Sequence, residues 1–107
     1  MCVFCRIINK EIPADPVYED EKVLVLPDIS PQAPVHWLII PKKHTSSLSL
    51  AEPDDVLACL QVMQKLLKEK GLTEYRTVVN TGAAAGQTVP HLHFHILAGR
   101  PLDWPPG

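Results

Sequence analysis

His91-Leu92-His93-Phe94-His95-Ile96-Leu97 is the stretch on which the reading of this chain turns. Read as a strand, successive side chains point to opposite faces. His91, His93 and His95 then share one face at steps of about 6.6 Å, while Leu92, Phe94 and Ile96 enter a core on the other. Three of the five histidines of the chain thus stand in one strict alternation. A His-rich exposed face with no role is a poor account of that pattern. Metal ligation by alternate imidazoles and phosphorus chemistry at a neutral imidazole both fit it. An imidazole with a pKa near 6.5 is substantially neutral, hence nucleophilic, at neutral pH.

Upstream, Thr81-Gly82-Ala83-Ala84-Ala85-Gly86-Gln87-Thr88 reads as a small-residue loop. Such a loop lets a phosphate approach backbone N–H groups, with Gln87 and Thr88 as further donors. No lysine of the P-loop kind follows it, so a plain turn is the alternative. Pro53 to Lys70 is read as the long helix. Proline suits its first turn, Gly71 its C-terminal end, and Val56, Leu60, Met63 and Leu67, joined by Leu57 and Leu66, form its apolar stripe. Asp54 and Asp55 near its start and Lys65, Lys68 and Lys70 near its end suit the helix dipole.

Val3 to Asn9 is expected as one or two helical turns. Val17–Glu19 and Val23–Leu26 are expected as a hairpin, Val35–Ile40 and Arg76–Asn80 as further strands, and His91–Leu97 as the fifth. The sum is an α+β domain: a five-stranded, mainly antiparallel sheet with one long and one short helix.

With 107 residues the chain fits one domain, expected over residues 1–107. The formal net charge of -2 gives no case for nucleic acid or an anionic membrane as partner. No apolar run spans a membrane, and Met1 to Lys10 has no signal-peptide pattern, so a cytoplasmic location is expected. Three cysteines, an odd number, argue against a disulfide framework. Cys2-Val3-Phe4-Cys5 has the spacing of a metal knuckle but needs two more ligands, and the residues alone leave a reduced thiol pair open. Cys59 is expected in the core.

The His-φ-His-φ-His-φ-φ pattern resembles that of the histidine triad family, and the chain is similar to its Hint branch of nucleoside phosphoramidases. The resemblance runs through Glu11-Ile12-Pro13-Ala14, Tyr18-Glu19-Asp20, Asp28-Ile29-Ser30-Pro31-Gln32-Ala33-Pro34, Ile40-Pro41-Lys42-Lys43-His44, Val79-Asn80, Gly86-Gln87 and the final Trp104-Pro105-Pro106-Gly107. It implies His93 as nucleophile, His95 on the phosphate, His36 beside them, and Thr88 near the leaving group, where relatives usually carry serine. Asp28 and Ile29 would meet the ribose. Asn80, Gly86 and Gln87 would surround ribose and phosphate, and Phe4, Ile7, Ile12 and Leu26 would line the base pocket. Leu26 stands where relatives often have an aromatic residue. On local sequence alone, Asp28 is equally a turn residue, His36 a core histidine, and the base-pocket group plain core.

The resemblance further implies a structural zinc ion held by Cys2, Cys5, His44 and His91, with no cofactor for the chemistry. It implies a homodimer in which Trp104 approaches the partner's site. The expected activity is hydrolysis of the P–N bond of a purine nucleoside 5′-phosphoramidate, of the AMP-amine or AMP-lysine type, through a nucleotidyl-histidine intermediate. A dinucleoside polyphosphate hydrolase and a nucleotide-binding adaptor with weak hydrolysis are the alternatives.

Overall fold

The computed structural model describes residues 2–107; Met1, the first residue of the expected domain, lies outside them. Helix α1 (Val3–Ile8) precedes strands β1 (Tyr18–Glu19), β2 (Val23–Pro27) and β3 (Val35–Pro41), then helix α2 (Pro53–Glu69), β4 (Tyr75–Val78) and β5 (Phe94–Ala98). The sheet order is β1-β2-β3-β5-β4, and every neighbouring pair is antiparallel. Short 3-10 turns at Leu48–Leu50 and Ala83–Ala85 were not foreseen in the sequence.

Period-two patterning divides the sheet into two apolar faces. On one, Val23, Val25, Ile39, Phe94 and Ile96 pack with Leu92 against Cys59, Val62, Met63, Leu66 and Leu67 of α2. On the other, Leu24, Leu26, Leu38 and Ile40 pack beneath Phe4, Ile7 and Ile8 of α1. The register places Leu38 opposite His95 and His36 opposite Leu97, so both histidines share the α1 face.

Helix α2 begins with Pro53 in its first turn and ends in a Schellman closure: Gly71 has φ +65, and Leu72 N–H donates to the carbonyl of Leu67 at 2.9 Å. Its buried stripe differs from the expected one. Leu57 is 51% and Leu60 39% exposed; Cys59 is buried as expected, and Val62, outside the expected stripe, is buried with it. The apolar band of this helix is wider than its buried face, so spacing alone did not say which edge is covered. β4 begins one residue earlier than expected and stops at Val78.

The fifth strand begins at Phe94, not His91. Pro90 has no N–H to offer a ladder, His91 N–H closes a tight turn onto Val89 O at 2.9 Å, and Leu92 N–H donates to Thr45 O at 2.8 Å. The run 91–93 is therefore outside the ladder and tied to the 42–47 segment through Thr45, with His44 beside His91. Alternation survives: Leu92, Phe94 and Ile96 all lie in the α2-side core.

Gly99 ends β5 with φ +98, and a Cβ there would lie 2.9 Å from Pro34 Cβ. Gly99→Ala combines left-handed strain with a collision and is expected to destabilise by roughly 1–3 kcal/mol. A urea midpoint unchanged from the parent protein would contradict this. Among the described residues no helix is long and apolar enough to cross a membrane.

Candidate active site and metal centre

A cavity of ≈ 440 Å³ opens on the α1 face of the sheet. It gathers ten of the residues expected around a nucleotide: Phe4, Ile7, Leu26, Asp28, Ile29, Asn80, Gly86, Thr88, His93 and His95. Val3, Pro27, Ser30, Leu38 and Val89 complete the lining and were missed. Val3 is one helical turn before Ile7, and Leu38 faces His95 across the ladder, so both had a signal in the spacing. Ile29 is 99% exposed at the rim, an apolar side chain with nothing over it.

Backbone groups set the proton positions of the imidazoles. A carbonyl only accepts, so the 2.7 Å contact between His93 Nδ1 and His91 O means that Nδ1 carries the proton. His93 Nε2 is left with a free lone pair. Gln32 N–H donates to His36 Nδ1 at 3.0 Å, so His36 is protonated on Nε2. That Nε2–H donates to His95 Nδ1 at 2.9 Å, which leaves the His95 proton on Nε2. The His93 and His95 ring centroids are 5.1 Å apart. Burial holds the His95 pKa below the ordinary imidazole value; His93 and His36 add to this and Asp28 opposes it. His95 is thus a neutral N–H donor at neutral pH, beside the Nε2 face of His93.

His36 is a buried residue of β3 that lies behind His95, outside the cavity lining. Asp28 does two things. Its Oδ1 accepts from Ser30 N–H at 2.8 Å, making the turn, and its Oδ2 stands 3.4 Å from His36 Nε2. Asp28, His36 and His95 are close enough to suggest a cation site. The tautomer opposes it, because a His36 Nδ1 that accepts from the backbone leaves a proton, not a lone pair, on Nε2.

Besides His36, three expected residues lie outside the cavity lining. Gln87 turns away from the cavity: Oε1 accepts from Gly82 N–H at 2.9 Å, and Nε2 donates to Ser46 O at 2.7 Å and Val89 O at 3.1 Å. It staples the small-residue loop. Ile12 lines a separate small cavity with Lys10, Pro13 and Glu19, because Lys10, at φ +63, turns the chain out of α1. Trp104 is 81% exposed and stacks near Arg76 of its own β4, the guanidinium 6.0 Å from the ring centroid.

The four expected metal ligands do converge. Cys2 Sγ, Cys5 Sγ, His44 Nδ1 and His91 Nδ1 all lie within 4.8 Å of one another. A tetrahedral ion with Zn–S of about 2.3 Å and Zn–N of about 2.0 Å needs N···N edges near 3.3 Å and S···N edges near 3.5 Å. The His44–His91 edge is 3.1 Å. The S···N edges are 3.3, 3.3, 3.6 and 3.7 Å. His91 Nε2 donates to Pro41 O at 2.8 Å, which presents Nδ1 as the ligand atom and supplies the outer hydrogen bond usual for metal-bound histidine. The donor set and its spacing allow structural zinc. Phe4 stands between the two sites, with its ring edge-on to His91 at 5.8 Å and to His93 at 5.2 Å.

Comparison with known proteins gives a consistent picture. The model of the HIT domain matches residues 9–102. A HIT family hydrolase from Legionella pneumophila superposes with a TM-score of 0.93 at 46% identity, over 100% of both chains. A histidine triad nucleotide-binding protein from Candida albicans gives 0.87 at 35% identity, over 98% of this chain and 83% of its own. A 14 kDa zinc-binding protein of Zea mays is 47% identical over 111 residues, covering 98% of this chain and 87% of that one.

Proposed function

The chain belongs to the HIT domain, or histidine triad, family, and from that premise we propose that it is a hydrolase of the Hint kind, cleaving the P–N bond of purine nucleoside 5′-phosphoramidates. The observation that carries this is the pair of opposed tautomers: a lone pair on His93 Nε2 and an N–H on His95 Nε2, both fixed by backbone-anchored hydrogen bonds at one wall of the cavity. The first can bond to phosphorus. The second can donate to a non-bridging oxygen or to the departing nitrogen.

In the first step the His93 Nε2 lone pair attacks the α-phosphorus in line and the P–N bond breaks. The amine leaves with a proton supplied through the Thr88 hydroxyl or His95, and the nucleotide stays on His93. Water then attacks the phosphorus, the P–N bond to His93 breaks, and a nucleoside monophosphate is released. Asp28 is suited to the ribose hydroxyls, and Phe4, Ile7, Leu26 and Leu38 form an apolar bed for the base. Gly86 has φ +95, a conformation that favours glycine, and a Cβ there would lie 3.7 Å from Asn80 Nδ2. No metal takes part in these steps; zinc at the cysteine site would hold α1.

The same reading carries a homodimer and a cytoplasmic location for one HIT domain over residues 1–107. The exposed Leu57 and Leu60 of α2 and the position of β4 at the sheet edge support pairing. Trp104 would then approach the partner's cavity rather than its own.

Parallel assays decide the substrate. A fluorogenic adenosine phosphoramidate is expected to turn over at least about 100-fold faster, by kcat/KM, than a diadenosine polyphosphate. The reverse ratio would favour the polyphosphate hydrolase, and AMP binding without turnover of either would favour the adaptor.

A further inference from the structure

Helix α1 belongs to both sites at once. Its N-terminal cap, Cys2, and its third residue, Cys5, carry two of the four metal ligands, while Val3, Phe4 and Ile7 of the same six-residue helix wall the nucleotide cavity. A helix this short has no stability of its own. It is held by its apolar contacts with Leu24, Leu26, Leu38 and Ile40, and a zinc ion taken up by Cys2, Cys5, His44 and His91 would tie it down further. His91 adds a second link, since its carbonyl fixes the His93 tautomer.

The thiol pair is within reach of small oxidants. Both cysteines are only half-buried, and His44 is exposed. An open groove bounded by Cys2, Cys5, His44 and Pro90 reaches the cluster from solvent, and Val3, Thr88 and Val89 line both this groove and the nucleotide cavity.

We propose that Cys2 and Cys5 form an oxidation-sensitive clasp on the nucleotide site: a peroxide converts the pair to a disulfide, the metal is lost, and the α1 wall with Phe4 comes away from His93. The proposal rests on the reading of the cavity as a nucleotide site. The chemistry balances. The two thiolates give up two electrons, an S–S bond forms and the O–O bond of the peroxide breaks. With two protons taken from solvent, hydrogen peroxide leaves as two waters. A disulfide sulfur is a poor ligand for zinc, and His44 and His91 alone do not retain the ion. Reduction by a thiol with zinc resupplied reverses each step.

The test uses purified, reduced, zinc-loaded protein, exposed to hydrogen peroxide and followed in three ways. Zinc release is read with a chromophoric chelator, backbone order by hydrogen exchange, and AMP affinity by calorimetry. Oxidation is expected to release zinc with formation of a Cys2–Cys5 disulfide. It should strip exchange protection from residues 3–8 while β2, β3 and β5 keep theirs, and raise the Kd for AMP about tenfold, the loss of one edge-on aromatic wall and its apolar neighbours. Thiol reductant plus zinc should restore all three.

Cys59→Ala is expected to respond as the parent does, because burial pushes the Cys59 thiol up to about 12 and keeps it protonated. Phe4→Leu, reduced and zinc-loaded, should weaken AMP binding with zinc retained. The clasp is overturned if zinc leaves while α1 protection and AMP affinity stay unchanged, if peroxide forms no disulfide and releases no zinc, or if Phe4→Leu binds AMP as tightly as the parent. If the reduced, zinc-loaded protein binds no AMP, the functional reading fails, and the clasp then stands or falls on the exchange of residues 3–8 alone.

Discussion

His93→Ala is expected to lower turnover of an adenosine phosphoramidate by roughly 10³-fold or more while AMP still binds within about threefold of the parent. Both halves of that expectation come from geometry. His93 is the imidazole in the cavity wall whose Nδ1 is engaged by a main-chain carbonyl and whose Nε2 is left as an unshared lone pair. The neighbouring ring cannot replace it, because the His36 donor occupies His95 Nδ1 and leaves an N–H on the other nitrogen. Binding, in contrast, draws on the apolar bed, Asp28 and the loop, none of which the substitution removes. Rapid-quench capture of a nucleotide on the protein should succeed with the parent and fail with the variant. Turnover that survives the substitution would end the covalent reading.

The second large effect concerns stability. His91→Ala is expected to abolish stoichiometric zinc and to cost on the order of 3–5 kcal/mol, a fall in melting temperature of roughly 10 °C or more. Three losses coincide there. The ring is 0% exposed, so a cavity opens; Pro41 O loses its donor; and the ion loses a ligand. His44 is an exposed ligand, so His44→Ala removes the metal bond without the cavity. It should therefore lose zinc as completely yet melt higher than His91→Ala. Metal analysis and calorimetry of the two variants separate the contributions. A His91→Ala protein that keeps one zinc per chain, or melts within about 2 °C of the parent, would contradict the assignment.

The parts of this protein that were legible in the sequence are those governed by short periods. Leu92, Phe94 and Ile96 announced the core face of the last strand because alternation has one geometric meaning, and Gly71 announced the end of α2 because few residues take φ above zero. The ends of strands were less legible. Where β5 begins depends on Thr45, a residue 47 positions upstream of Leu92, accepting its N–H. The convergence of Cys2, Cys5, His44 and His91 came from the resemblance, since a lone pair of cysteines does not name its partners.

Three residues show why the remainder was hidden. Gln87 was expected on the ligand, but its amide closes the loop on Gly82, Ser46 and Val89, contacts that exist only once the loop is folded. Ile12 was expected in the base pocket, but Lys10 adopts a left-handed conformation that non-glycine residues seldom announce. Leu60 satisfied helical spacing yet stays 39% exposed, while Val62, outside the expected stripe, is buried.

The hydrogens that give each imidazole its character are placed by amide and carbonyl groups at Gln32, Pro41 and His91. Every amino acid carries the carbonyl and all but proline the N–H, so these groups survive substitution at those positions as long as the trace of the chain is kept. An engineer who grafted the histidines onto another scaffold without these loops would obtain the right rings with their protons unassigned. Conversely, a library that randomised the side chain of Gln32 would be searching a position whose contribution to the chemistry sits in the peptide unit, beyond the reach of codon choice except through proline.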